Sequence, residues 1–183
     1  MTTLLAPTPG QTIGPFYGFA LPIDRGSELV PPRSPGAIRF HGHVLDGDGK
    51  PVPDVMLEIW QADGDGNVPR EPGGLRRDGW GFSGWGRVST DDDGHFSFST
   101  VEPGPTEGRP AFIMVTIFGR GLLNRLFTRA YVPAPALESD ALLDSLPDLV
   151  SPKAVAPKLQ YADSYGLTPS RSSVVKSLRR AMK

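Results

Sequence analysis

From Ile38 to Tyr131 the apolar residues of this chain recur at every second position in short runs, and each run is cut by glycine, proline or aspartate. Side chains alternate across a strand but follow a 3.6-residue period along a helix, so this pattern selects half-buried β-strands. Ile38, Phe40, Gly42 and Val44 alternate with Arg39, His41, His43 and Leu45. Val55, Leu57, Ile59 and Gln61 lie opposite Met56, Glu58, Trp60 and Ala62. The two segments look like successive sheet strands, each followed by an Asp-Gly-Asp-Gly turn at 46–49 and 63–66. Arg87–Thr90 and His95–Val101 read as a hairpin around the turn at 91–94, with Phe96 and Phe98 on one face. Phe112–Phe118 is apolar almost throughout and suits a strand buried on both faces. Leu126–Val132 is the last strand. The expected fold class is all-β, mainly antiparallel, with long loops.

The 183 residues make one domain's worth of chain and can bury roughly 70% of the unfolded surface. No disulfide or structural metal is required. The absence of cysteine excludes a disulfide scaffold, a thiol nucleophile, Cys-ligated zinc and iron–sulfur clusters, and fits a reducing compartment. A net charge of −1 supplies no global field for nucleic acid or an acidic membrane, so neither is expected as a partner. The N-terminal residues lack a basic region and an apolar run of secretory type, and the run 111–118 is far shorter than the roughly 20 residues of a membrane helix. A cytoplasmic location is expected.

Three segments follow. Residues 1–36 hold seven prolines at 7, 9, 15, 22, 31, 32 and 35 and no period, and read as an extended N-terminal arm. Residues 37–135 carry the strands, interrupted by a glycine-rich loop over 67–86, of the kind in which sites are built. Residues 136–183 combine a short helical spacing at Leu142, Leu143 and Leu146 with a basic tail that has a second helical stretch near 174–182.

Residue chemistry alone selects little. His41 and His43 share a strand face and could chelate a metal, but no third ligand stands nearby, so they are read as hydrogen-bonded structural histidines. His95 is placed in solvent, and the three imidazoles are not expected to meet. The acidic turns lack the bidentate Glu of a calcium loop and are read as tight turns. Phosphate-binding, dinucleotide-binding and serine-nucleophile motifs are absent. Arg109, Arg120, Arg125 and Arg129 could hold a planar carboxylate, or could form surface ion pairs.

Six ordered motifs add a resemblance: Gln11-Thr-Ile-Gly-Pro-Phe-Tyr17, the Gly42–Asp54 segment, Leu57-Glu-Ile-Trp-Gln-Ala-Asp63, Gly86–Gly94, Thr100-Val-Glu-Pro-Gly-Pro105 and Arg109-Pro-Ala111. Together the chain resembles the intradiol ring-cleavage dioxygenases. That resemblance implies a β-sandwich and O2-dependent cleavage of a catecholate such as protocatechuate. It also implies an Fe(3+) ion held by two tyrosines and two histidines. The positions matching those ligands here are Val68, Thr106, Phe112 and Met114, so no iron is expected on this chain alone and no catalytic group is assigned to it. The resemblance then implies a hetero-oligomer in which a homologous beta subunit holds the iron, while Thr12, Gly14, Pro15 and Arg129 of this chain reach the substrate. The closing strands of the family have no counterpart after Pro147. A rival reading from the Gly-Lys-Pro-Val-Pro-Asp motif at 49–54 and the strand–turn pattern is a non-enzymatic, prealbumin-like β-sandwich interaction module. The N-terminal motif and the Leu57–Ala62 strand argue against it.

Overall fold

The computed structural model describes residue 14 and residues 17–70, 77–122, 124–132 and 160–161. Two antiparallel sheets face one another. The first has the order β4-β1-β7, from β1 (Ala37–His43), β4 (His95–Val101) and β7 (Gln160–Tyr161). The second has the order β3-β2-β5-β6, from β2 (Met56–Gln61), β3 (Trp85–Ser89), β5 (Phe112–Phe118) and β6 (Leu126–Tyr131). Between them lies a core of Ile38, Phe40, Phe96 and Phe98 from one sheet and Leu57, Ile59, Ile113, Val115 and Ile117 from the other. Each of these is an alternate position of its strand, so the period-two pattern is the physical source of the sandwich. Phe40 stacks on Phe98 and meets Phe96 edge-on at 5.7 Å.

Two topological expectations are corrected. β1 and β2 lie in different sheets, and β3 and β4 form no hairpin: β3 pairs with β2 and β4 with β1. The reason lies in the inward faces. Phe96 and Phe98 must meet the core from the side opposite Leu57 and Ile59, so the turn at 91–94 carries the chain from one sheet to the other. Thr90 fixes that crossing: its amide donates to Val55 O, and its hydroxyl accepts from Val55 N and donates to Val52 O. A third correction concerns β5, whose outer face is buried only at Thr116. Ile113, Val115 and Ile117 are core, whereas Phe112, Met114 and Phe118 are only half buried on the outer face.

All three acidic turns share one geometry. Asp46, Asp63 and Asp91 each accept two backbone N–H groups on Oδ1, from the residues two and four positions on, at 2.8–3.1 Å. Their fourth residues, Gly49, Gly66 and Gly94, take left-handed φ values of 83°, 85° and 71°. The carboxylate therefore serves as the turn's own acceptor, as tight-turn chemistry predicts. These hydrogen bonds, led by that from the Asn67 amide, hold the Asp63 carboxyl below its ordinary range.

Ahead of β1, the one-turn helix α1 (Tyr17–Ala20) leads into a segment that lines β4. Leu29 N donates to Ser99 O and Ser99 N to Ser27 O, while Leu29 itself is buried in the core. The expected helices within 137–149 and 174–182 lie outside the described residues.

Candidate functional site

One end of the four-stranded sheet gathers Phe112, Met114 and Arg129, three of the positions singled out by sequence. It is formed by the C-terminal ends of β2 and β6 and the N-terminal ends of β3 and β5. Across its outer face runs a registered row, Trp85–Trp60–Met114–Arg129, beside the pair Phe112–Tyr131. Phe112 and Met114 are two apart on β5, and Arg129 and Tyr131 are two apart on β6, so all four point to the same side. Two loops complete this end. Residues 63–67 and 102–105 are in close contact, with Gly104 N donating to Asp63 O at 2.7 Å. A side chain on Gly66 would collide with Pro105 O, and one on Gly104 with Gly64 O. Val68, 49% exposed, follows the first of these loops in the chain, and Thr106, bridged to Arg109, follows the second.

Beneath this face, Gln61 ties the two sheets together. It is buried, its Nε2 donates to Val101 O at 2.8 Å and Ala62 O at 3.1 Å, and its Oε1 accepts from the Thr100 hydroxyl at 2.7 Å. Thr100 is fully buried on β4. Gln61 thus anchors β2 to β4 directly under the loops that shape the site.

Arg129 is the cation at the β5–β6 side of the face. Its guanidinium lies 4.4 Å from the centre of the Phe112 ring and donates from Nη1 to the Tyr131 hydroxyl at 3.3 Å. Tyr131 is buried and tilts against Phe112 at 5.8 Å. The other candidate arginines are engaged elsewhere: Arg120 pairs with Asp54 at 2.8 Å, and Arg125 stacks on Phe127. Arg109 closes a turn by donating its amide to Thr106 O at 2.9 Å. Of the arm residues, Thr12 and Pro15 lie outside the described residues. Gly14 is exposed and accepts the Tyr17 amide at 3.3 Å, and a side chain there would meet nothing within 4 Å. The packing of the described residues therefore does not demand glycine at 14.

Val68, Thr106, Phe112 and Met114 stand at the positions that the resemblance matches to iron ligands. A hard ferric ion takes anionic oxygen and imidazole ligands. These four side chains offer two hydrocarbon groups, a neutral hydroxyl and a thioether, and the Arg129 cation rests over one of the positions. They do not fit the ion. Among the described residues no group of three or more His, Asp or Glu side chains is arranged to hold a metal.

Tyr131, Trp60 and Trp85 were not singled out by sequence reading. The signal available was register: Tyr131 follows Arg129 by two in one strand and therefore shares its face. Trp60 is 46% exposed, tilts against Trp85 at 6.2 Å, and the guanidinium groups of both Arg77 and Arg87 lie within 5.4 Å of the Trp85 ring. Arg87 also forms a half-buried ion pair with Glu58, its cross-strand neighbour.

The histidines behave otherwise than expected. His43 stands opposite His95 in register, and His41 is diagonal to it, so the three imidazoles share the outer face of the three-stranded sheet. His41 Nδ1 and His95 Nε2 are 3.2 Å apart, and the His43 and His95 rings lie 5.0 Å apart. His95 is thus half buried and hydrogen bonded rather than solvated. Burial first, then the charges of His43 and Arg39, push its pKa down.

An antiparallel β-sandwich with an aromatic and cationic outer face at one sheet end defines the class of fold. Residues 13–108 match the family model described as Dioxygenase. The chain is 36% identical over 160 residues to the protocatechuate 3,4-dioxygenase alpha chain of Burkholderia cepacia, an alignment covering 79% of this chain and 80% of the relative. It is 31% identical to the beta chain of the same enzyme, of which it covers 53%. Among solved structures, the dioxygenase domain of a carbohydrate-binding fusion protein from Streptomyces sp. SirexAA-E superposes with a TM-score of 0.55 at 32% identity, covering 75% of this chain and 82% of that one. Hydroxyquinol 1,2-dioxygenase from Pseudomonas putida DLL-E4 superposes with a TM-score of 0.51 at 26% identity, covering 75% and 54%. The chain belongs to the intradiol dioxygenase family. No helix among the described residues is long and apolar enough to cross a membrane.

Proposed function

We propose that this chain is an alpha-type subunit of a cytoplasmic protocatechuate 3,4-dioxygenase. It carries no ferric ion itself and supports intradiol cleavage of protocatechuate to 3-carboxy-cis,cis-muconate at Fe(3+) held by a homologous beta subunit. One observation carries this reading: the four positions matching the ligand set are Val68, Thr106, Phe112 and Met114, in a chain whose strongest alignment given above is to an alpha chain.

When bound in the partner, the ferric ion supplies Lewis acidity to the catecholate. The contribution of this chain is positional. Arg129 is already oriented by Phe112 and Tyr131, and its guanidinium forms no ion pair with a carboxylate among the described residues. A planar guanidinium held in one geometry binds a carboxylate bidentately, so Arg129 is suited to the carboxylate of the substrate. Thr12, Gly14 and Pro15 lie in the arm that would reach the partner. Among the described residues nothing lies within 4 Å of where a Gly14 side chain would stand, which leaves that side of its backbone open to close approach.

The test is co-expression with a beta subunit, each chain alone serving as control, followed by co-purification, iron analysis and protocatechuate-dependent O2 uptake. Iron and activity are expected in the complex, none on this chain alone, and Arg129→Ala is expected to lower kcat/KM at least tenfold without dissociating the complex. Stoichiometric iron on this chain alone, or failure to join and assist the beta subunit, would overturn the reading.

A further inference from the structure

The outer face of the other sheet carries a second arrangement with chemistry of its own. His41 and His95 are fixed on adjacent antiparallel strands, with Nδ1 of one and Nε2 of the other 3.2 Å apart. Two zinc–nitrogen bonds of about 2.0–2.1 Å meeting at a tetrahedral angle hold their nitrogens about 3.3–3.4 Å apart. The two imidazoles therefore already stand at ligand spacing. The strands beneath them are anchored by Phe40 and Phe96, both almost fully buried, so little ordering remains to be done on binding.

The 91–94 turn supplies the remaining element. Asp91 commits Oδ1 to the amides of Asp93 and His95, which leaves Oδ2 facing His95 Nδ1 at 3.8 Å. A carboxylate on the far nitrogen favours the tautomer with the proton on Nδ1 and leaves the Nε2 lone pair facing His41. In His41 the proton must lie on Nε2 when Nδ1 is a ligand. Occupation therefore moves protons between the nitrogens of neutral rings and releases none. Arg39, two residues before His41 and bonded to Ser97 by its Nε at 2.8 Å, opposes a cation here, while Asp91, Asp92 and Asp93 favour one.

We infer that His41 and His95 form a two-imidazole site for a borderline divalent transition ion of the zinc class, with Asp91 as its positioning carboxylate and water completing the coordination. The site lies on the opposite sheet from Arg129 and Phe112 and does not depend on the function proposed above.

The experiment titrates the full chain with ZnCl2 at pH 7.5 by calorimetry and follows the imidazole nitrogens of the wild-type protein by NMR. One ion per chain is expected, with shifts of His41 Nδ1 and His95 Nε2. His41→Gln and His95→Gln should each weaken binding at least tenfold, and Asp91→Asn severalfold with the circular dichroism spectrum retained. His43→Ala should leave the affinity within threefold. Absence of saturable binding below 100 µM, as an order-of-magnitude limit, would overturn the assignment. So would shifts at other nitrogens, or a tenfold loss in His43→Ala. The NMR measurement decides the matter even if a histidine variant fails to fold.

Discussion

Replacing Gln61 by leucine tests the polar tie between the two sheets. The side chains are similar in size, so the change removes three hydrogen bonds without opening a large cavity. The hydroxyl of Thr100 loses its acceptor in a fully buried position, and Val101 O and Ala62 O lose a donor. A stranded buried polar group costs about 1–3 kcal/mol. With two such groups of consequence, and partial recovery from the added apolar contact, Gln61→Leu should cost about 2–4 kcal/mol. Thr100→Val alone strands only Gln61 Oε1 and should cost about 1–2 kcal/mol. In the double variant neither partner is stranded by the other, so its cost should fall below the sum of the single ones by about 1 kcal/mol or more. Urea unfolding followed by tryptophan fluorescence measures this as shifts in midpoint at unchanged slope. If the two costs add within about 0.5 kcal/mol, the pair is uncoupled and Gln61 does not tie the sheets as described.

Three further perturbations follow from particular contacts. His95 binds its proton less readily in the folded chain than in the unfolded one, so the stability it contributes is complete above the ordinary pKa of 6.5 and is lost as pH falls through the lower folded value. The unfolding midpoint should fall between pH 7 and 5, and His95→Gln should flatten that slope; an unchanged slope would remove His95 as the cause. Gly94→Ala places a Cβ 2.6 Å from Val44 O at a φ of 71°, whereas Gly49→Ala, at 83°, meets nothing within 4 Å. The first should cost at least about 2 kcal/mol and the second about 1, a difference read by thermal unfolding. Phe127, 63% exposed on β6, which has no outer neighbour among the described residues, should promote edge association; Phe127→Lys should reduce light scattering while changing stability by less than about 0.5 kcal/mol.

What sequence reveals here depends on whether a signal is local. The alternation of Ile38, Phe40 and of Leu57, Ile59 reports strands, because burial of one face is written into successive residues. The Asp-Gly turns are legible for the same reason, each being closed by its own aspartate. Pairing is different. Nothing within Arg87–Val101 distinguishes a hairpin from a crossing between sheets, since the deciding contacts, Thr90 with Val55 and Phe98 with Phe40, join segments far apart in the chain. The same limit hid the meeting of His95 with His41, fifty-four positions away, which exists only through the register of β1 on β4. For β5 the continuous apolar run was misleading: Phe112, Met114 and Phe118 read as core residues but lie on the outer face.

That outer face explains how a fold can persist while the chemistry at one of its ends changes. Ile113, Val115 and Ile117 hold β5 in the sandwich, and they alternate with Phe112, Met114 and Thr116, which do not enter the central core cluster. Substituting imidazole for Phe112 or Met114 is therefore expected to alter neither the pairing of β5 with β2 and β6 nor the packing between the sheets. The elements most tightly constrained near the site lie below or beside it: Gln61 with Thr100, and Gly66 against Pro105. Gln61, Thr100 and Pro105 belong to the motifs that made the family recognisable, and their roles in these contacts are structural. Membership of the family therefore follows from the scaffold, whereas Phe112 and Met114, two of the positions that the resemblance matches to iron ligands, lie outside the core cluster that holds it together. For this chain the decisive chemical test is consequently at Phe112, Met114 and Arg129, not in the motifs that define the fold.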